Sequence, residues 1–412
     1  EKFLSRVGSR AYTSKSLSSA YWLTEIQRII GRWFERCPQG SYHTSSGACF
    51  DHRSVLERPL VFSRSSRFTL PDPETPGILF EDVLPTNRLC VVPKDWRRSR
   101  VVCVEHAGRV NVQQYARSVI ESVASHTDLG QRINFLDQGH QRSSLRLPGR
   151  SSIDLSDASD YVDACVIWRC FRNVPSLRSI LFSSRSTKVL FEGKEYPIRC
   201  YATMGNATTF AVMSVFLCAL TKACEEYAYR YSGRRAVTST VFGDDIICDD
   251  WIAGTVLTVL RDFGFRVNTA KTFIGRRFKE SCGVDLFDDV DITPLKLKGL
   301  EATDQASLVD RVLDYSNRAH KAGYWRLADC IRRLARVRLP CNFGERSLFS
   351  FSSGIQLGGT RWDPGYQNFI FPAPKARLIQ SDSLQNYLYT LNKVCSGRQD
   401  HDVWPRLRES VT

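Results

Sequence analysis

Val241-Phe242-Gly243-Asp244-Asp245-Ile246-Ile247 is the stretch on which the fold turns. Two short apolar runs, 237–242 and 246–248, flank a Gly-Asp-Asp junction, which is the pattern of a tight β-hairpin. Gly and Asp both tolerate positive φ, so the junction suits a type I′ turn. Alone, it supports no more than a solvated turn, because so short a tripeptide arises often by chance. Adjacent carboxylates on such a turn repel each other unless a cation lies between them.

Reading outward, other elements fall into order around this hairpin. Upstream, 152–155 is a short strand candidate bearing Asp154, followed by a helix through Val162, Cys165, Val166 and Arg169. Gly205 marks a second junction and opens a long, mostly buried helix over 209–229. Downstream, 256–263 reads as a helix stopped by Gly264, with Arg266-Val267-Asn268 beyond it. Further upstream, β-prone runs at 89–92 and 101–105 enclose the basic stretch Lys94-Asp95-Trp96-Arg97-Arg98-Ser99-Arg100. Residues 16–36 place Leu17, Tyr21, Ile26, Ile29, Ile30 and Trp33 near helical spacing, and 37–87 are Ser-, Pro- and Gly-rich, as in loops with short strands. From about 301 the tail is basic and helical over 308–339. It turns Gly-, Pro- and aromatic-rich over 343–374, as a separate subdomain would.

Asp154, Asp244 and Asp245 fit the needs of template-directed nucleotide addition. In that reaction a 3′-hydroxyl attacks an α-phosphate in line, assisted by two divalent ions about 3.5–4 Å apart. Mg²⁺ takes hard oxygen ligands and few of them from protein, so two or three Asp at adjacent strand ends suffice; Mn²⁺ can stand in. Each supporting residue also has a plainer reading. Asp154 could cap a helix, although Ser156 and Ser159 would cap as well. Lys94, Arg97 and Arg100, spaced by three, could be a solvated basic loop or a triphosphate site built from Arg forks and a Lys point charge. Gly205 could be an ordinary turn glycine or a hinge that lets backbone approach template or nucleotide. Asn206 and Thr209 could be caps or sugar contacts, Lys271 a surface lysine, and Cys282 a packing residue.

Composition bounds these readings. With 412 residues and 42% hydrophobic content, the chain exceeds one typical domain and can bury a large core. Fifty-seven Lys+Arg against 43 Asp+Glu give a formal +14, which favours a polyanion, nucleic acid or an anionic membrane face. Membrane insertion is set aside, since the longest uncharged apolar stretch, near 210–220, falls far short of the ~20 residues a span needs. Glu1-Lys2-Phe3-Leu4 shows neither a secretory core nor an initiator Met, so a processed or truncated chain is expected. Fourteen Cys are scattered without a Cys-x-x-Cys pair; Cys103, Cys165, Cys218 and Cys248 lie in apolar runs, where buried reduced thiols are expected. The seven His, including His106 and His140, show no metal-ligand spacing.

Ser152-Ile153-Asp154-Leu155-Ser156-Asp157-Ala158-Ser159-Asp160 resembles motif A of the replicases of positive-strand RNA bacteriophages, the levivirus group. Met204-Gly205-Asn206-Ala207-Thr208-Thr209-Phe210 resembles their motif B, and the opening stretch their motif C. Lys271-Thr272-Phe273, Phe278-Lys279-Glu280-Ser281-Cys282-Gly283 and Val290-Asp291-Ile292-Thr293-Pro294 resemble their D/E region, and Val92-Pro93-Lys94 with Arg97 and Arg100 their motif F. The resemblance spans roughly 88–298. Ala207 and Thr208 depart from it, replacing Gly and an aromatic, as do Trp96 and Arg98 in a usually less basic stretch.

The resemblance implies an α+β right-hand polymerase fold, its palm an antiparallel sheet flanked by helices. It places an N-terminal region and fingers in 1–150, a palm in 151–300 with an interleaved fingers segment near 170–200, and a thumb and C-terminal region in 301–412. It implies RNA-templated RNA synthesis in the cytoplasm of an infected bacterium, with RNA template and product and NTPs as partners, host translation factors as further ones, and no membrane. Asp154, Asp244 and Asp245 would bind two Mg²⁺ or Mn²⁺ ions. Lys94, Arg97 and Arg100 would meet the triphosphate, and Gly205 would lie in the nucleotide site. Ser159, Asp160, Asn206 and Thr209 would lie near the ribose 2′-hydroxyl, and Lys271 would be the general acid. A reverse transcriptase shares the palm logic, although it usually has Met, Val or Ala where Gly243 stands. A basic RNA-binding protein without catalysis remains the rival from another class.

Overall fold

Ten strands organise the first part of the chain. They are β1 (Thr86–Pro93), β2 (Ser99–Val104), β3 (Arg150–Asp154), β4 (Lys188–Phe191), β5 (Lys194–Pro197), β6 (Thr240–Phe242), β7 (Asp245–Asp249), β8 (Phe278–Ser281), β9 (Val284–Phe287) and β10 (Val290–Asp291). The computed structural model describes residues 2–9, 17–41, 50, 85–94, 99–295, 314–334, 361–363 and 368–370. Two compact units divide the chain, the second of them being Thr293–Ser381.

In the first unit a three-stranded sheet in the order β3-β7-β6 holds the centre. Both pairings are antiparallel, and β7 is buried from Ile246 onward because helices cover the sheet. The foremost of these is Thr209–Ser232, apolar around nearly its whole circumference over its first four turns, as a helix enclosed by protein must be. It ends where Gly233 adopts φ +67 and returns its N–H to the Tyr229 carbonyl, a left-handed cap. Helices Leu17–Trp33 and Asp250–Asp262 pack on it, and Ile26, Ile30, Phe216, Leu220, Ile246 and Val256 share one core. Burying each such side chain stabilises the fold by roughly 1.5–3 kcal/mol.

A second sheet, in the order β2-β1-β4-β5, draws β1 and β2 from before Asp154 in sequence and β4 and β5 from between Asp154 and Asp244. The basic stretch joins β1 to β2, with Val92 opposite Arg100. β4 joins the far side of β1 in parallel register, so residues 188–197 belong to this sheet and not to the central one. A third sheet, β10-β9-β8, is a meander. In the second unit, residues 314–321 and Trp325–Leu334 are helical, and Arg361–Asp363 pairs antiparallel with Asn368–Ile370.

The structure moves several expectations. The helix expected over 256–263 begins earlier, at Asp250, because the apolar stripe continues through Ile252 and Ala253. Cys103, Cys218 and Cys248 are buried, but Cys165 is exposed, since it lies on the outer face of helix Ala164–Cys170. Most of 37–87 and of 343–374 lies outside the described residues. Among the described residues, no helix is long and apolar enough to cross a membrane.

Candidate active site

Asp154 closes β3 and Asp245 opens β7, and the register sets them directly opposite each other. Opposed residues of this kind have Cβ atoms roughly 5 Å apart. Gly243 and Asp244 form the loop between β6 and β7. Gly243 has φ +66, whereas Asp244 is not among the residues with positive φ. The turn therefore follows the II′ pattern and not the expected I′, with Gly at the position that demands it. Space enforces the same choice, because a Cβ on Gly243 would lie 2.9 Å from Phe210 Cε2. Phe210 packs edge-on against Phe242, with centroids 5.0 Å apart.

Two neighbours hold the carboxylates. The chain at 266–273 runs along the free edge of β3, exchanging backbone hydrogen bonds between Ser152 and Phe273. This brings Asn268 Nδ2 within 2.7 Å of Asp154 Oδ2, while the Asn268 N–H donates to the Asp154 carbonyl. The β8–β9 hairpin reaches Asp245 from the other side. Its turn residues Cys282 and Gly283 have φ +48 and +75, a type I′ turn, and the Cys282 N–H donates to Asp245 Oδ2 at 2.9 Å. The Cys282 thiol points to the same oxygen at 3.4 Å. Gln141 Nε2 donates to the Asp245 carbonyl at 3.2 Å.

The electrostatics are those of a site short of positive charge. Burial raises the Asp154 carboxyl, and Asp244 and Glu280 add to this against the Asn268 hydrogen bond and Lys271. Asp244 is solvent-exposed, yet enough protein surrounds it that desolvation raises it too; Asp245 adds to this, and Lys94 and Arg100 oppose it. Asp245 rises through burial and the Asp154 charge, against Cys282 and Lys271. Lys271 Nζ lies 3.2 Å from Glu280 Oε1. Desolvation pulls the Lys271 ammonium down, but Glu280, Asp154 and Asp245 outweigh it and hold the proton on.

The other expected residues divide. Lys94 and Arg100 are exposed and close enough for their charges to act on Asp244. Arg97 lies outside the described residues. Ser159 and Asp160 are buried on the 3₁₀ turn Ala158–Tyr161, where Arg6 binds Asp160. Asn206 and Thr209 are buried and serve their own loop: Asn206 Oδ1 accepts the Thr208 N–H and hydroxyl, and Thr209 Oγ1 donates to the Thr203 carbonyl. Gly205 does permit a close backbone approach, but to the chain itself. It has φ +114, and an added Cβ would lie 2.1 Å from the Cys103 carbonyl oxygen of β2, whose N–H bonds to Met204.

Asp154, Asp244 and Asp245 fit a hard divalent cation by donor type and by mutual repulsion. Among the described residues, no group of three or more His, Cys, Asp or Glu converges tightly enough to hold a metal ion by itself. That agrees with the orientation of the carboxylates, one oxygen of Asp154 being turned to Asn268 and one of Asp245 to Cys282. A cation here would take further ligands from phosphate and water, as Mg²⁺ does in phosphate sites. Asn268 and Cys282 are the residues that sequence reasoning undervalued. The positive φ of Cys282 has no local signature, and Asn268 reaches Asp154 across 114 residues of chain.

Known proteins resemble this chain in a consistent way. The family model described as RNA replicase, beta-chain, matches residues 73–314, well over half of the chain. The RNA-directed RNA polymerase beta chain of Escherichia phage MS2 is 32% identical over 219 residues, covering 52% of this chain and 38% of the relative. The beta chain from Enterobacteria phage fr is 34% identical over the same shares. The RNA-directed RNA polymerase subunit beta of Enterobacteria phage SP is 28% identical over 279 residues, 67% of this chain and 44% of that one. The chain thus spans less than half the length of these curated relatives. The crystal structure of the RNA-dependent RNA polymerase of a human picobirnavirus superposes with TM-score 0.53 at 10% identity, over 81% of this chain and 71% of that one, which shows an α+β polymerase fold.

Proposed function

The chain belongs to the RNA replicase beta-chain family, and from that premise we propose that it is an RNA-directed RNA polymerase, extending an RNA 3′-hydroxyl with ribonucleoside triphosphates on an RNA template. One observation carries the reading: Asp154 and Asp245 stand opposite in register, with Asp244 on the adjoining turn under the charges of Lys94 and Arg100. A plain solvated hairpin needs neither the half-buried acid pair nor the cations.

Bond formation joins the 3′-oxygen to the α-phosphate as pyrophosphate leaves. Asp154, Asp244 and Asp245 would hold two divalent ions, Mg²⁺ or Mn²⁺, which when bound activate the hydroxyl and offset charge on the leaving group. Asn268 and Cys282 fix the rotamers of Asp154 and Asp245, so little reorganisation is left for the moment of reaction. Lys94 and Arg100, with Arg97 by resemblance, would draw the triphosphate toward Asp244. Lys271, kept protonated by Glu280, would pass its Nζ proton to the departing pyrophosphate. Ser159, Asp160, Asn206 and Thr209 would border the ribose, the last two by shaping the loop that Gly205 presses against β2.

Within this reading, 1–150 contribute the N-terminal region and fingers, 151–300 the palm, and 301–412 the thumb and C-terminal region. Pairing of β4 with β1 supports assigning the segment near 170–200 to the fingers. The setting would be replication of a phage RNA genome in the bacterial cytoplasm, with host translation factors as additional subunits. The test is nucleotide incorporation by the purified chain on an RNA template with Mg²⁺. Incorporation of NTPs, abolished by Asp244→Ala, is expected. Incorporation of dNTPs alone would favour a reverse transcriptase. Salt-sensitive RNA binding with no incorporation, unchanged by Asp244→Ala, would favour a non-catalytic RNA-binding protein.

A further inference from the structure

Arg6 lies 154 residues upstream of Asp160, yet its Nε donates to Asp160 Oδ2 at 3.0 Å and its Nη2 lies 3.0 Å from the same oxygen. Nη1 lies 3.5 Å from Asp157 Oδ2. The helix that carries Arg6, Lys2–Gly8, is seated by its apolar face. Phe3 and Val7 are buried in a small core with Cys103, Val189, Ile198 and Cys200. The Val7 carbonyl also accepts the Arg199 N–H at 2.7 Å. Arg6 therefore projects from a fixed base, which lowers the entropy lost in holding one geometry.

The acceptor is equally constrained. Asp157 adopts φ 50 and starts the 3₁₀ turn Ala158–Tyr161, and the Asp160 N–H returns to the Asp157 carbonyl. The Asp160 side chain is only 7% exposed. Its charge acts on the Cys103 and Cys200 thiols, which places it beside β2 and the Gly205 turn that β2 holds. A carboxylate so enclosed is costly to keep ionised without a partner. Both Arg6 contacts fall on Oδ2; the Ser159 side chain hydrogen-bonds the same carboxyl group, and since a carboxylate offers about four acceptor sites, Oδ1 keeps one for a further donor.

We infer that Arg6 is a positioning residue for nucleotide-sugar selection, holding the Asp160 carboxylate in one orientation so that its second oxygen accepts a hydrogen bond from the ribose hydroxyl. This rests on the polymerase reading and deepens it. A site built to bond a hydroxyl rejects the analogue lacking it, and does so only while the acceptor is held in place. The helix Lys2–Gly8, remote in sequence from the carboxylate motifs, thereby contributes to specificity. A merely structural staple would alter stability and scale incorporation of both sugars alike.

The experiment compares kcat/KM for a ribonucleotide and the matching 2′-deoxynucleotide on an RNA template, using the full chain with Arg6→Gln, Arg6→Lys and Asp160→Asn. Arg6→Gln should lower the ribo/deoxy ratio about tenfold, chiefly through a higher KM for the ribonucleotide. Arg6→Lys should recover part of the ratio, since it restores the charge with fewer bonds. Asp160→Asn should lower the ratio at least as far as Arg6→Gln. If Arg6→Gln unfolds, the charge-retaining Arg6→Lys and the isosteric Asp160→Asn still decide. An unchanged ratio in Arg6→Lys or Asp160→Asn, with activity scaled equally for both sugars, overturns the inference and leaves the polymerase reading standing. A wild-type chain that incorporates neither nucleotide removes both.

Discussion

At one end of the β3–β7 ladder Arg150 stands opposite Asp249, and at the other Asp154 stands opposite Asp245. The backbone pairing is continuous between them, so the contrast lies in the side chains. Arg150 is fully buried; its Nη1 lies 2.9 Å from Asp249 Oδ1, and it also donates to Ser144 Oγ and the Thr238 carbonyl. Asp249 in turn accepts the Val237 N–H. Every bond at that end anchors the sheet to its surroundings. At the other end two acids face each other, a third adjoins them, and the nearby cations either bind Glu280 or stand in the exposed β1–β2 region. A strand pair chosen for stability alone would neutralise both ends. The end left acidic is the one prepared for charge from outside the chain.

The comparison breaks most readily at its acidic end. Asp245→Asn keeps the shape of the side chain and removes a charge. Under the polymerase reading it should lower incorporation on the order of 10⁴-fold, about 5 kcal/mol in the barrier. The thermal midpoint without divalent ion should hold or rise, because a repulsion is relieved. A variant that loses stability and activity together would make Asp245 structural, like Asp249.

Arg150→Met tests the neutral end. It strands Asp249 beside buried carbonyls and should destabilise the protein by about 3–5 kcal/mol in a denaturant titration. Adding Asp249→Leu should recover much of the loss, since an apolar pair of similar volume can replace a buried ion pair. If the single substitution costs less than about 1 kcal/mol, the ion pair does not anchor the ladder.

The same two ends differ in how far they could be read from sequence. Buried strands and the long helix were legible because apolar runs of strand and helix length carry their own signal, as in 246–248 and 209–229. Asp154 and Asp245 could be grouped by chemistry and order, and more firmly by resemblance, but not set opposite each other, because nothing local fixes the register between strands so far apart in sequence. β4 and β5 were not read, being only four residues each; β4 takes its place beside β1, about a hundred residues upstream, and β5 pairs with β4 across the Glu192-Gly193 turn. The turn type was misjudged because Gly-Asp suits I′ and II′ alike, and only the φ of Asp244, which is not positive, distinguishes them. Arg6 on Asp160 and Cys282 on Asp245 are contacts between distant segments, and composition cannot supply them.

The smallest expected effect concerns pH. Burial, together with neighbouring acids, raises the carboxyls of Asp154, Asp244 and Asp245 in the folded chain. From the ordinary carboxylate range, near pH ~4, up to those raised values, the folded state holds protons that the unfolded chain has released. Their contribution to stability is therefore greatest below that window and falls as pH rises through it. Asp128 has the opposite sign. Burial pulls its carboxyl upward, but Lys222 and the Trp33 Nε1–H, at 2.6 Å, outweigh this and hold it below its ordinary value. Its contribution is present above the unfolded value and fades as pH falls. Thermal unfolding followed upward from pH ~4 without divalent ion should show a decline with pH through that window, which Asp245→Asn flattens by roughly 1–2 °C. Adding Mn²⁺ at the upper end should restore wild type, since a ligand bound only to the folded state stabilises it by mass action, and should leave Asp245→Asn largely unmoved. Equal responses of the two proteins to Mn²⁺ would mean that the acidic end does not receive the cation.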